Sequence, residues 1–293
     1  MKKSVLLILF LMLTLGTMAW AQDSKIETGI IAFQGGDYRK ALDFLNQGLT
    51  DKTLLKERNV PRAYYHRGMA KLQIMAMDAQ ALKTEPTEEQ TKAIEALLMG
   101  AYDDFKQAKA TDDGKWGKKV DDALAKMNMS FLQAGLTALN MTYDKKISAE
   151  DKTEAYKGTA EAAGYSIEID PTNFFPFDLR GQAKLGLLDS AGAHADFTTA
   201  AKLIEGNTHT RPDLLIAYTY YRKAIIERYN QHNVDAALLT VEKGKAVLEK
   251  EWAKITVKKA EMKPEDFAKL EKQYNDAKED LDKFELDLLL NAP

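Results

Sequence analysis

The chain has 293 residues, with 41 Lys and Arg against 44 Asp and Glu, four histidines and no cysteine. Lysines alternate with acids along the whole length and form no basic stripe, which excludes the electrostatic footprint of a nucleic-acid binder. Without cysteine there is no disulfide framework and no lipid-bearing N-terminal thiol, so stability has to come from packing.

In chain order, Lys2-Lys3, an apolar run from Val5 to about Leu15 and then Ala19-Trp20-Ala21 read as a secretory signal over residues 1–21. The run is nearly as long as a short membrane span, but the Ala-x-Ala exit favours cleavage. The expected product begins near Gln22, inserts in no membrane after cleavage, and is periplasmic or secreted. Removing Lys2 and Lys3 leaves 39 bases against 44 acids, near −5.

Gly29, the turn Gly36-Asp37-Tyr38, Ala41, Leu45 and Gly48 then describe two helices crossing at small residues. Arg67-Gly68 opens a second pattern, which closes with Ala101, Asp104, Phe105 and Ala108. Arg180-Gly181 followed by Ala193, Asp196, Phe197 and Ala200 repeats it. Glycine and alanine at fixed helical spacing allow close approach of two helices, and phenylalanine fills the gap between hairpins. Residues 116–171 and 213–245 carry weaker versions. The former has Ala123, Thr159, Ala163 and Ser166, and the latter has Ala237, Val241 and Gly244 with Ile225 where glycine is expected.

The second pattern holds about 21 more residues between Gly68 and Ala101 than the later copy does. Ile74, Met75, Met77, Ala81 and Leu82 continue one helix, and Thr87-Glu88-Glu89-Gln90 is a capping box opening the next. The extension, about 73–97, therefore lengthens each helix by about three turns, roughly 15 Å at 1.5 Å per residue. It either stands free as a paddle or packs along a long neighbour such as the helix from Trp116 to Tyr143. Turns are expected at Gly35-Gly36, Lys83 to Thr87, Asp112 to Lys115 and Asn173 to Pro176. Past Pro264, the residues Phe267, Leu270, Tyr274, Ala277, Leu281, Phe284 and Leu288 form a narrow 3-4 seam. Its partner is either the preceding helix, through Leu238, Val241, Leu248, Trp252 and Ile255, or a second copy of the chain in a homodimer.

These patterns, with Ile169-Asp170-Pro171-Thr172-Asn173 ahead of the later copy, resemble the tetratricopeptide repeat, a helix-turn-helix unit of about 34 residues. The resemblance implies an all-α fold. It would be a right-handed α-solenoid over 22–260, closed by a C-terminal capping helix pair completed by 261–293. The first helix of each repeat in that family lines a concave groove for a partner segment. Carried over, the groove positions are Ile30 and Phe33; Arg62, Tyr65 and Met69; Phe175, Asp178 and Gln182; and Arg222 and Ile226. Aromatic and arginine anchors among polar neighbours suit a binding surface. The lysine and asparagine set by which some members clamp a C-terminal carboxylate is absent.

Chemistry finds little support. His66, His194, His209 and His232 fall in no ligand spacing, no glycine-rich loop follows a strand, and Asp103-Asp104 and similar pairs point in different directions on a helix. No catalytic residue, metal or cofactor is expected. The reading is a non-enzymatic scaffold of the bacterial cell envelope that binds a protein or peptide. The alternative is a module holding a glycan or peptidoglycan fragment on aromatics such as Tyr65 and Phe175.

Overall fold

The structure, a computed structural model, describes residues 21–82, 87–112, 114–206 and 214–291. Residues 1–20 of the expected signal segment 1–21, residues 83–86 of the expected turn at Lys83 to Thr87, and His209 lie outside them. The described residues contain eleven α-helices and no strand. Helix α1 covers 21–34. After it come α2 (Tyr38–Gly48), α3 (Asn59–Ala81), α4 (Glu88–Ala110), α5 (Gly117–Met141) and α6 (Ala149–Ile169). The rest are α7 (Phe175–Gly186), α8 (Ser190–Glu205), α9 (Ile216–Tyr229), α10 (Val234–Val257) and α11 (Pro264–Leu290). No described helix is long and apolar enough to cross a membrane.

The chain divides into two compact units, one ending at Met127 and the other running from Asn128, so the stretch read as one solenoid comprises two stacks of hairpins. The division falls within α5. Helix starts follow their capping chemistry. Asp37, Ser148, Asp189 and Asn233 each accept a backbone N–H three residues on. Thr87 and Gln90 form the reciprocal capping box, which satisfies two otherwise orphaned donors.

The repeated half-patterns are held together by one ion clamp. In the first unit, Arg67 on α3 donates through Nε to both Asp104 oxygens on α4, at 3.0 and 3.1 Å, and Lys71 Nζ lies 2.9 Å from the same carboxylate. In the second unit, Arg180 on α7 donates from Nε and Nη2 to Asp196 on α8, at 2.9 and 2.7 Å, and Lys184 Nζ sits 2.8 Å away. Beside each clamp a phenylalanine ring packs against the glycine that follows the arginine. A Cβ on Gly68 would stand 2.9 Å from Phe105, and one on Gly181 would stand 2.6 Å from Phe197, so no larger residue fits without movement. Both acids are nearly inaccessible, and each arginine ties the two helices of its own hairpin across the crossing point.

The weaker hairpins keep the crossing and change the clamp. In α9–α10 it is Ala224, fully buried, that takes the glycine position, not Ile225 as the sequence suggested. Its neighbour Lys223 donates to Thr240 at 3.1 Å, where α3–α4 and α7–α8 have aspartate. In α5–α6 the close approach is made by Gly135, whose Cβ would meet Leu179 at 3.0 Å and Ala162 at 3.4 Å. Ala123 is buried in α5 twelve residues earlier. Thr159, Ala163 and Ser166 occupy the expected buried positions on α6.

The extension of α3 and α4 stays outside the core. The last buried residue of α3 is Ile74 and the first of α4 is Ala101. The turns beyond are half-buried or exposed, with Asp78 paired to Arg39 on α2. The seam of α11 packs within the chain. Phe267, Ala277, Leu281, Phe284 and Leu288 join Val241, Leu248 and Ile255 in one buried cluster, with Trp252 stacked on Tyr274 at 4.7 Å. Those seam residues are thus unavailable to a second copy of the chain.

Candidate functional site

In the second unit, the first helices of three hairpins turn one face toward a cavity of about 190 Å³. Helix α5 contributes Leu136, Leu139 and Asn140, α7 contributes Phe175, Asp178 and Gln182, and α9 contributes Tyr218, Thr219 and Arg222. Four residues selected from the sequence, Phe175, Asp178, Gln182 and Arg222, therefore meet at one place. Pro176 at the first turn of α7 and Asn173, whose side chain accepts the Phe175 N–H at 3.0 Å, start that helix where Phe175 and Asp178 point inward.

Asp178 is the centre of the site. Its side chain is 8% exposed, and it accepts from Arg222 Nη1 at 3.0 and 3.1 Å, from Thr219 Oγ1 at 2.8 Å and from Gln182 Nε2 at 2.7 Å. The carboxylate is saturated and the pair is neutral, so the cavity carries little net charge. Arg222 lies over the Tyr218 ring, 6.0 Å from its centroid. The Tyr218 hydroxyl donates to Asp280 on α11 at 3.1 Å. Burial, then this bond, push the phenol up to about 12, so it stays a neutral donor. Leu136, Leu139, Phe174 and Phe175 make apolar walls, and the rim carries the exposed Tyr143 and Leu215. An apolar recess ringed by amide and guanidinium donors can take an apolar side chain while holding the main chain beside it.

In the first unit, Phe33, Arg62 and Tyr65 gather around His66 and Trp116. His66 packs edge-on to Phe33 at 5.3 Å and to Trp116 at 5.6 Å, and Tyr65 lies 5.2 Å from Trp116. Arg62 pairs with Glu27 on α1, and Lys119 stands over the Trp116 ring at 4.7 Å. Burial, then Arg62 and Lys119, lower the His66 imidazole to about 4, and its Nδ1 is buried without a hydrogen-bond partner among the described residues. Burial and Asp122 raise the Tyr65 phenol. Met69 is half-buried on the same helix.

Two selected residues do not belong to any groove. Ile30, 2% exposed, packs with Ile26, Leu45 and Leu55 between α1 and α2. Ile226, 1% exposed, packs with Phe197 and Ala193. Each lies on the helix flank that meets a second helix, so both serve the core. Conversely, Trp116, Tyr143 and Tyr218 were not selected as site residues. Trp116 and Tyr143 stand outside the ends of α5, where helix periodicity assigns no face. No group of three His, Asp or Glu side chains among the described residues is placed to hold a metal ion.

No protein-family model matches the chain, and no curated protein matches it. Solved structures similar to it include a thermophilic TPR protein of Thermus thermophilus at 14% identity and TM-score 0.34, covering 80% of this chain and 94% of that one. The TPR2AB domain of yeast Sti1 in a pHSP90 complex matches at 14% identity and TM-score 0.29, covering 90% and 99%. A tetratricopeptide repeat protein of Parabacteroides merdae matches at 14% and 0.25, covering 80% and 99%. By its own clamps and glycine crossings, the chain is an all-α protein of tetratricopeptide-like helix hairpins.

Proposed function

We propose that this is a non-enzymatic binding protein of the bacterial cell envelope, and that it holds a peptide segment of a protein partner against the first-helix faces of α5, α7 and α9. The observation that carries this reading is the convergence of Phe175, Asp178, Gln182 and Arg222 on one apolar recess whose only buried charge is already neutralised. A recess of that kind favours an apolar side chain, with Asn140, Gln182 and Arg222 beside it to bond peptide groups. The exposed Tyr143 and Leu215 supply the aromatic and aliphatic contact area of an anchor site. The envelope location rests on the signal pattern of residues 1–21.

Selection of a random peptide library on the chain from Gln22 tests the reading. Enriched peptides should share an apolar anchor and lose at least tenfold in affinity on Tyr143→Ala or Gln182→Ala, both at half-buried or exposed positions that leave the Asp178–Arg222 pair intact. Enrichment of no peptide, beside a thermal shift with a glycan panel, would instead support the glycan-holding alternative. Recovery of a secreted product beginning at Gln22 would confirm the export route, and retention of residues 1–21 would refute it.

A further inference from the structure

A second cavity, of about 220 Å³, lies in the same unit among α8, α9 and α10. None of its lining residues is shared with the recess described above. The crossing beside it differs from those of two other hairpins. In α3–α4 and α7–α8 the second helix presents an aspartate that occupies the crossing and takes up two cations from the first. In α9–α10 that position is Thr240, which is shorter and uncharged, and the only acid at the crossing is Glu227, on α9 itself. Glu227 is saturated by Lys223, by Thr240 Oγ1 at 2.6 Å and by His194 at 3.3 Å. The carboxylate at this crossing is therefore supplied by the first helix instead of the second, and the cavity lies beside it.

The walls of this space show which ligand fits. At its mouth stand Lys202 and Lys243, and Lys223 lies on its floor. The facing acids are Glu227 and Glu205, the latter 3.2 Å from Lys243. Three ammonium groups therefore face two carboxylates, and Lys202 has no carboxylate in reach among the described residues. The remaining wall is apolar, formed by Ala201, the Tyr220 ring, Ala236 and Leu239, which is 56% exposed. We infer that this cavity is a binding site for a small organic carboxylate, whose anionic end pairs with Lys202 and whose apolar end lies against Tyr220 and Leu239. The volume admits a small molecule and excludes a helix.

The test is a titration of the chain from Gln22 with butyrate, followed by amide chemical shifts, with acetate and inorganic phosphate as parallel probes. A saturable response at residues 198–205 and 236–243 is expected, with butyrate at least several-fold tighter than acetate. Lys202→Glu, at an exposed position that carries no packing, should weaken butyrate at least tenfold. Leu239→Ser should bring butyrate down to the acetate level. Phosphate binding as well as butyrate, or butyrate no better than acetate, would overturn the organic-carboxylate class. A response that is absent, non-saturable or unchanged in Lys202→Glu would overturn the site. Failure at this cavity leaves the peptide recess between α5, α7 and α9 untouched, because the two share no residue.

Discussion

At the scale of single residues, neighbouring acids divide sharply. Asp103 is exposed, whereas Asp104 is buried and bound by Arg67 and Lys71. Removing one partner of a buried ion pair costs about 3–5 kcal/mol, and Arg67 is one-fifth exposed, so the lower end applies. Urea unfolding should therefore show Asp104→Ala destabilised by about 3 kcal/mol, and Asp103→Ala within about 0.5 kcal/mol of wild type. Equal effects would contradict the clamp. Gly181→Ala should cost about 1–3 kcal/mol through overpacking against Phe197. His66 supplies a pH dependence. Its folded value of about 4 lies below the ordinary 6.5, so between those values the unfolded chain binds the proton and the folded chain resists it. Stability contributed by neutral His66 is complete above about pH 6.5 and is lost as pH falls toward 4. Melting temperatures measured from pH 7.5 down to 4.5 should fall more steeply for wild type than for His66→Gln; parallel curves would show that His66 does not carry the effect.

At the scale of elements, legibility followed local chemistry. The capping box at Thr87, the proline start of α11 and the glycine crossings of α3–α4 and α7–α8 are where the pattern placed them. The aspartate-to-threonine exchange at residue 240 is visible in the sequence too, but its meaning depends on pairing it with Lys223, and that register shifts by one residue in the longer α9–α10 turn. The same shift moved the expected glycine site from Ala224 to Ile225. Ile30 and Ile226 were misplaced for a related reason: a helix in a stacked hairpin has three buried flanks, and spacing alone does not say which flank faces a partner. The sequence allows the α3–α4 extension to be either free or packed, and its exposed turns fit the free state. Deleting 75–96 and closing the gap with a short loop should leave a cooperative thermal transition within a few degrees of wild type. Truncation before Pro264 should have the opposite effect, since it uncovers Leu248 and Ile255 and removes the terminal cap that stacked repeats require. A truncated chain that melts as cooperatively as wild type would show that α11 is not part of the core.

At the scale of the molecule, the fold class was the most legible property, because a repeated packing code states an all-α architecture several times over. The division into two units was not, since it falls inside the continuous helix α5 and no loop or composition change marks it. The recess was legible in part. Phe175, Asp178, Gln182 and Arg222 are on helix faces that periodicity identifies, while the rim residues Tyr143 and Leu215 lie just outside helices. What unites the site is a buried, fully satisfied ion pair between α7 and α9 that shapes an apolar recess without charging it. The most direct test is a crystal structure or intermolecular nuclear Overhauser map of the chain from Gln22 with a library-selected peptide. The account predicts an apolar peptide side chain between Phe175 and Tyr218, with peptide groups bonded to Gln182 or Arg222. A peptide bound elsewhere, or one whose contacts avoid Phe175 and Tyr218, would contradict it.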